Sequence, residues 1–166
     1  MMTNKWITNC KMKCLLDSLS EHSTKEKMVL NLQQLKMLFD PPFKQVKDCI
    51  IISEKSSEKL EDYFDDVIKT YMDRTGYEAS NTETNINDFF DNKISILTGI
   101  TLGLITIEIW SLKLKQLDAN SKFCFIMFSD DEHVEIRFHK VRPNEYMWLS
   151  NDLEGYDGEA VGYIIL

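Results

Sequence analysis

Glycine and proline are scarce, six and three in 166 residues. That excludes collagen-like and linker composition and leaves most of the chain to regular elements. Four cysteines, Cys10, Cys14, Cys49 and Cys124, do not amount to a disulfide framework in a domain of this length. Cys10 and Cys14 stand four apart, with no second pair and no histidine at ligand spacing. A tetrahedral zinc site needs four such donors, so reduced thiols of a cytosolic protein are expected. No apolar run of signal-peptide length follows the N-terminal Met1, Met2, Thr3 and Lys5. The most apolar stretch, residues 94–110, is interrupted by Thr98, Gly99, Thr101, Gly103, Thr106 and Glu108. It reads as too polar and slightly short for a membrane span. The expectation is a soluble, cytoplasmic protein.

Basic residues are the other shortage. Nineteen lysines and arginines face twenty-seven acids, for a net charge of −8 and a pI near 4.9. Such a surface repels nucleic-acid backbones and anionic membranes. A basic protein is its natural complement, because opposite potentials steer encounter; acidity kept for solubility alone is the other reading.

Sequence motifs of catalysis are also missing. There is no G-x-x-x-x-G-K, G-x-G-x-x-G, H-E-x-x-H or G-x-S-x-G. Of the three histidines, His133 and His139 fall on one predicted strand, on the same side and about 20 Å apart at the strand rise. Either could act as a base beside a carboxylate, but not as joint ligands of one metal. Asp130, Asp131 and Glu132 lack the alternating ligands and central glycine of a calcium loop. Asp152, Glu154, Asp157 and Glu159, with Gly155 and Gly158 between them, come closer in composition but not in pattern, and read as a solvated acidic loop. No enzyme, cofactor, metal or small-molecule substrate is expected.

What is present is a change of periodicity along the chain. Val29, Leu32, Leu35 and Phe39 place apolar groups on one side of a helix that Ser23 or Thr24 could cap and Pro41 and Pro42 end. Residues 43–52 suit a helix or a buried strand. Leu60, Tyr63, Phe64, Val67, Ile68, Tyr71 and Met72 draw one continuous helical stripe. Ser56 or Ser57 caps it, Gly76 stops it, and Glu61, Asp62, Asp65 and Asp66 lie on its opposite face. Residues 79–87 read as a long polar loop, and residues 94–116 as a buried helix despite Gly99 and Gly103. Residues 123–128 are apolar on both faces, as in a central strand. After a turn at residues 129–132, Val134, Ile136 and Phe138 alternate with polar residues to complete a hairpin. Residues 163–166 end the chain as a further strand. The expected fold is one α+β domain, residues 1–166. N-terminal helices, in a helical part of about 1–118, pack on a small, mostly antiparallel C-terminal β-sheet within about 119–166.

Residues 137–153 concentrate Arg137, His139, Lys140 and Arg142 with Tyr146 and Trp148. Trp148 reads as a core residue closing the sheet and Tyr146 as exposed. The run Ile136-Arg137-Phe138-His139-Lys140-Val141-Arg142, then Glu145, Trp148-Leu149, Asp152-Leu153-Glu154, Tyr156 and Gly162-Tyr163, resembles the immunity proteins of bacterial contact-dependent growth-inhibition systems. Glu108, Ile109, Trp110, Leu112, Lys113 and Leu114 before it fit the same pattern. The likeness covers roughly the last seventy residues. It implies a cytoplasmic antitoxin that binds a cognate toxin domain and blocks its active site or substrate surface. Many such toxins are nucleases, often acting on tRNA, and a basic nuclease suits an acidic inhibitor. The contact candidates are three patches: Glu61, Asp62, Asp65 and Asp66; Asp130, Asp131 and Glu132; and Asp152, Glu154 and Asp157, with Tyr146 and Tyr156 as anchors. The alternatives are a regulatory adaptor or a small metal-dependent hydrolase using His133 or His139 with Asp130 or Asp152.

Overall fold

Strand β5 (Phe123–Ser129) is apolar on both faces and takes the centre of a five-stranded antiparallel sheet. The computed structural model describes residues 6–19, 21, 29, 31–53 and 62–166. The sheet order is β1-β7-β5-β6-β4, with β1 Ile7–Thr8, β4 Thr84–Asn85, β6 Val134–Lys140 and β7 Ala160–Ile165. A separate hairpin pairs β2 (Phe43–Val46) with β3 (Cys49–Ile52). The helices are α1 (Cys10–Ser18), α2 (Leu32–Phe39), α3 (Phe64–Thr70), α4 (Arg74–Asn81) and α5 (Ile96–Leu117). The class is α+β, with most helices early in the chain and the main sheet late. The early part nevertheless supplies both edge strands and the hairpin.

Alternation in β5 and β6 divides the sheet. Phe125, Met127, Val134, Ile136 and Phe138 face α5, while Cys124 and Ile126 face the opposite side. That opposite side is covered by the loop after β6 through Leu149, Leu153, Trp148 and Tyr156. Trp148 lies half-buried there, edge-on to Phe128, with the Arg137 guanidinium 4.2 Å over its ring.

Helix α5 settles the segment whose glycines argue against a helix at about 1 kcal/mol each. A Cβ at Gly99 would stand 2.8 Å from Val134 Cγ2, and one at Gly103 would stand 2.8 Å from Met127 Cε. The two glycines let the helix approach the sheet closely. Trp110, buried on the same helix, donates its indole N–H to the Leu38 carbonyl at 2.9 Å and so ties α2 down. The helix is 22 residues long and, by length and composition, apolar enough to cross a membrane. The interrupted window of residues 94–110 understated it. Half of its most apolar stretch is buried in this fold.

Four expectations are corrected. The stripe through Met72 is not one helix: α3 ends at Thr70, Met72 adopts a φ of 71°, and Asp73 caps a new helix by accepting from Gly76 N at 2.7 Å. Gly76 is thus in the first turn of α4 and stops nothing. Residues 79–87 are not a loop but the end of α4, strand β4 and a 3-10 turn, Ile86–Phe89. Their polar side chains close the outer edge of β6, which explains the missing apolar period. Asn87 accepts from Val134 N, Thr82 bonds both N–H and C=O of Phe138, and Glu78 accepts from Lys140 N. Finally, His133 precedes β6 and does not share its strand with His139. Asn31, not Ser23 or Thr24, caps α2, and Val29 lies ahead of the helix. Ser23, Thr24, Ser56, Ser57, Leu60 and Glu61 lie outside the described residues.

The other sheet edge is closed by Asn9, which is 3% exposed. Its Oδ1 accepts from Met12 N, capping α1, and from Val161 N, while its Nδ2 donates to Glu159 O at 2.8 Å. Asn31 makes only exposed capping bonds, to Gln33 N and Gln34 N. Asn9→Ala should therefore lose a cap and orphan buried backbone groups, costing about 2–4 kcal/mol. Asn31→Ala should cost about 1 kcal/mol. Urea unfolding checks this, and equal losses would contradict the hub role of Asn9.

Candidate functional site

The two ends of the sheet carry different electrostatics. At the end where β6 finishes, Glu78 of α4 is fully buried. It accepts from Ile50 N at 2.8 Å, Lys140 N at 2.7 Å and Arg142 Nη1 at 2.9 Å. Burial pushes its carboxyl pKa up, and Arg142 and the two amides pull against that. Around this pair, Arg142 reaches Asp48 O at 3.1 Å, and Arg74 pairs with Asp48 and Glu145. Burial would raise the Glu145 pKa, but hydrogen bonds from Thr75 and Arg74 and the charge of Arg142 hold it below the usual range. Three carboxylates share two guanidiniums here, and together they join the β2–β3 hairpin, α4 and the loop after β6. Their positions, 48, 74, 78, 142 and 145, are too scattered for any sequence period to reveal.

The acids of α3 lie at this same end, where Asp65 and Glu145 line one cleft of about 490 Å³. Asp65 pairs with Lys47 at 3.5 Å and Asp66 with Lys69 at 2.9 Å; Asp62 is exposed. Tyr146 follows Glu145 and is 91% exposed.

The opposite end gathers two of the three predicted patches. The turn after β5 holds Asp130, Asp131 and Glu132, and the approach to β7 holds Asp152, Glu154, Asp157 and Glu159. The register Ser129↔Val134 and Ser129↔Ala160 brings both loops to one edge. Asp130 and Asp131 share a cavity of about 470 Å³ with Gly158 and Ala160, whose floor is Leu15 and Ile96 and whose wall carries Cys10, Cys14 and Lys11. A second, polar hollow of about 230 Å³ joins Asp130 and His133 to Glu135 and Glu159. Among the described residues no cation pairs with Asp131, Asp152, Asp157 or Glu159, while Lys93 approaches Glu132 at 3.7 Å. Tyr156 is half-buried, its ring against Phe128 and its hydroxyl accepting from Ser150 N, so it supports the loop.

These loops are held by short-range bonds. Asp130 Oδ1 accepts from Glu132 N and His133 N, which keep its pKa low. Asp152 accepts from Glu154 N, and Glu154 accepts from Cys10 N at 2.8 Å. The Glu154 carboxylate raises the Cys10 thiol pKa, and burial pushes Cys49 and Cys124 up to about 12. His133 Nδ1 lies 3.5 Å from Asp130 Oδ1, whereas His139 is sealed inside with Nδ1 on the Lys140 carbonyl. Among the described residues no group of three His, Cys, Asp or Glu could hold a metal ion.

Residues 7–164 match the model of the Uncharacterized protein PM0498 family, and the chain belongs to that family. No curated protein matches it, and neither does any solved structure.

Removing Arg142 leaves Glu78 buried without its cation, so Arg142→Met should cost about 3–5 kcal/mol. Arg74 is 40% exposed, and Arg74→Met should cost about 1 kcal/mol or less. Equal losses in urea would refute the central place of Glu78. Burial also lowers the His139 pKa below 6.5. The unfolded chain then binds the proton first, so this contribution is complete above that value and fades as pH falls towards the folded pKa. The slope is up to about 1.4 kcal/mol per pH unit. Glu78 acts with the opposite sign, its raised pKa favouring the fold at lower pH. Urea unfolding from about pH 5 to about pH 7.5 should show a shallower pH dependence in His139→Gln than in the native chain; parallel curves would exclude this role for His139.

Proposed function

We propose that this member of the PM0498 family is an immunity protein that binds and neutralises a cognate bacterial toxin domain in the cytoplasm. The toxin is a basic nuclease such as a tRNase, and its substrate surface or active site is what the immunity protein covers. The carrying observation is the outward charge at one end of the sheet, where Asp131, Asp152, Asp157 and Glu159 have no cation partner among the described residues. The resemblance across the C-terminal residues gives the partner its class. A nuclease binds polyanionic substrate through lysine and arginine, and a fixed array of carboxylates competes for the same cations. Electrostatic steering speeds the encounter and weakens with salt.

The α3 end is the poorer contact surface, since Lys47 and Lys69 already engage Asp65 and Asp66. Catalysis has no part in this role.

Co-expression with the toxin domain encoded next to the gene tests the proposal: the chain should restore growth and co-purify with the toxin at low salt. The triple reversal Asp131→Lys, Asp157→Lys, Glu159→Lys should slow association at least tenfold at low salt. The pair Asp65→Lys, Asp66→Lys should leave association within about threefold. A toxin that kills in the presence of the chain and forms no complex with it overturns the proposal.

A further inference from the structure

The cavity beneath the acidic turn has the apolar lining and the carboxylates to seat a long cationic side chain, with room to spare. It measures about 470 Å³, with Leu15, Ile96 and Ala160 as apolar lining and Asp130 and Asp131 at its edge. Asp130 uses Oδ1 on the backbone of its own turn, which fixes the carboxylate and leaves Oδ2 without a hydrogen bond among the described residues. Asp131 is exposed and makes no ion pair among the described residues. Lys11 also lines the cavity, so an entering cation must pass on the aspartate side.

We infer that this cavity receives an arginine side chain from the partner protein, an inference that rests on the immunity reading. The methylene stem packs on Leu15, Ile96 and Ala160, as long cationic side chains do along apolar surface. The guanidinium donates to Asp130 Oδ2 and to Asp131. A planar fork suits two separate carboxylate acceptors better than the point charge of lysine. An arginine seated in a desolvated pocket is the kind of group that dominates an interface.

The cavity contains its own reporter. Cys10 and Cys14 line it and are exposed, whereas Cys49 and Cys124 are buried. Alkylation by N-ethylmaleimide therefore reads occupancy at Cys10 and Cys14, located by mass spectrometry. With the free native chain, acetyl-arginine amide should slow labelling of both cysteines and shift amide resonances of residues 10–15, 129–131 and 158–160. The neutral isostere acetyl-citrulline amide should do neither. Two variants check specificity: Cys14→Trp obstructs part of the space, and Asp131→Asn removes a rim charge from an exposed turn. Each should abolish the protection, read at Cys10 alone in Cys14→Trp, while leaving the thermal midpoint within a few degrees. Equal effects of arginine and citrulline, or resonance shifts confined to other surfaces, overturn the socket. In complex with the toxin, labelling should slow at least tenfold and Cys14→Trp should weaken binding at least tenfold. If the complex forms with labelling and affinity unchanged, the socket fails and the immunity reading stands. If no complex forms, the immunity reading fails, and the arginine titration still decides whether the cavity takes that side chain.

Discussion

The arrangement depends on one carboxylate kept from water. Glu78 sits where the hairpin, α4 and β6 meet, and no water can compensate it there. An uncompensated ion in such a place costs several kcal/mol even after relaxation. It is therefore tolerated only because Ile50 N, Lys140 N and Arg142 arrive together. They come from two distant parts of the chain, the β2–β3 hairpin and the end of β6 with the residues just after it, so the charge is satisfied only in the assembled fold. That gives the junction its specificity more than its stability, since a well-packed apolar replacement could hold as firmly. The same carboxylate caps the open end of β6, continuing the edge closure begun by Asn87 and Thr82. An edge closed by side chains cannot recruit a foreign strand.

What was legible in the residues follows from this division of labour. Wherever burial set the pattern, periodicity showed it: the doubly apolar β5, the alternating start of β6 and the long α5. Where polar side chains did structural work, the pattern failed. Residues 79–87 looked like a loop because Thr82 and Asn87 contribute hydrogen bonds, not apolar area. The stripe through Met72 looked continuous because Tyr63 and Met72 keep the apolar spacing of Phe64, Val67 and Ile68 although both are exposed. Only the Asp73-x-x-Gly76 cap gave the boundary away, and an aspartate three residues before a glycine is a weak signal against so regular a stripe. At the candidate site, exposure of Tyr146 and the acidity of both C-terminal loops were legible. Their convergence was not, because it is a consequence of strand register, which pairs Ser129 with both Val134 and Ala160. The internal use of Arg142, gathered at first with a basic cluster, was equally hidden.

The acids of this chain thus fall into two kinds. Glu78, Asp48 and Glu145 are consumed by arginines within the fold, and Asp118 holds Lys140 at 2.7 Å. They add to the net charge without shaping what a partner meets. Asp131, Asp157 and Glu159 do the reverse: their carboxylates make no ion pair or hydrogen bond among the described residues and project their field outward. A surplus of −8 is therefore a poor guide to where a partner binds, because part of the negative charge is already spoken for.

Outward charge is useful to a binding protein only if it does not have to be ordered at the moment of contact. Fixing a flexible loop with its side chains costs on the order of 1 kcal/mol per ordered residue. The acidic end avoids much of that cost. Asp130 closes its own turn by accepting two backbone N–H groups, Asp152 does the same for Glu154, and Asn9 pins the carbonyl of Glu159 from inside the sheet edge. Glu154 is in turn tied to the start of α1 through Cys10 N. Three short polar side chains, each bonded to nearby backbone, thus turn two loops into a preformed surface, and the affinity for a cationic partner need not be spent on assembling it.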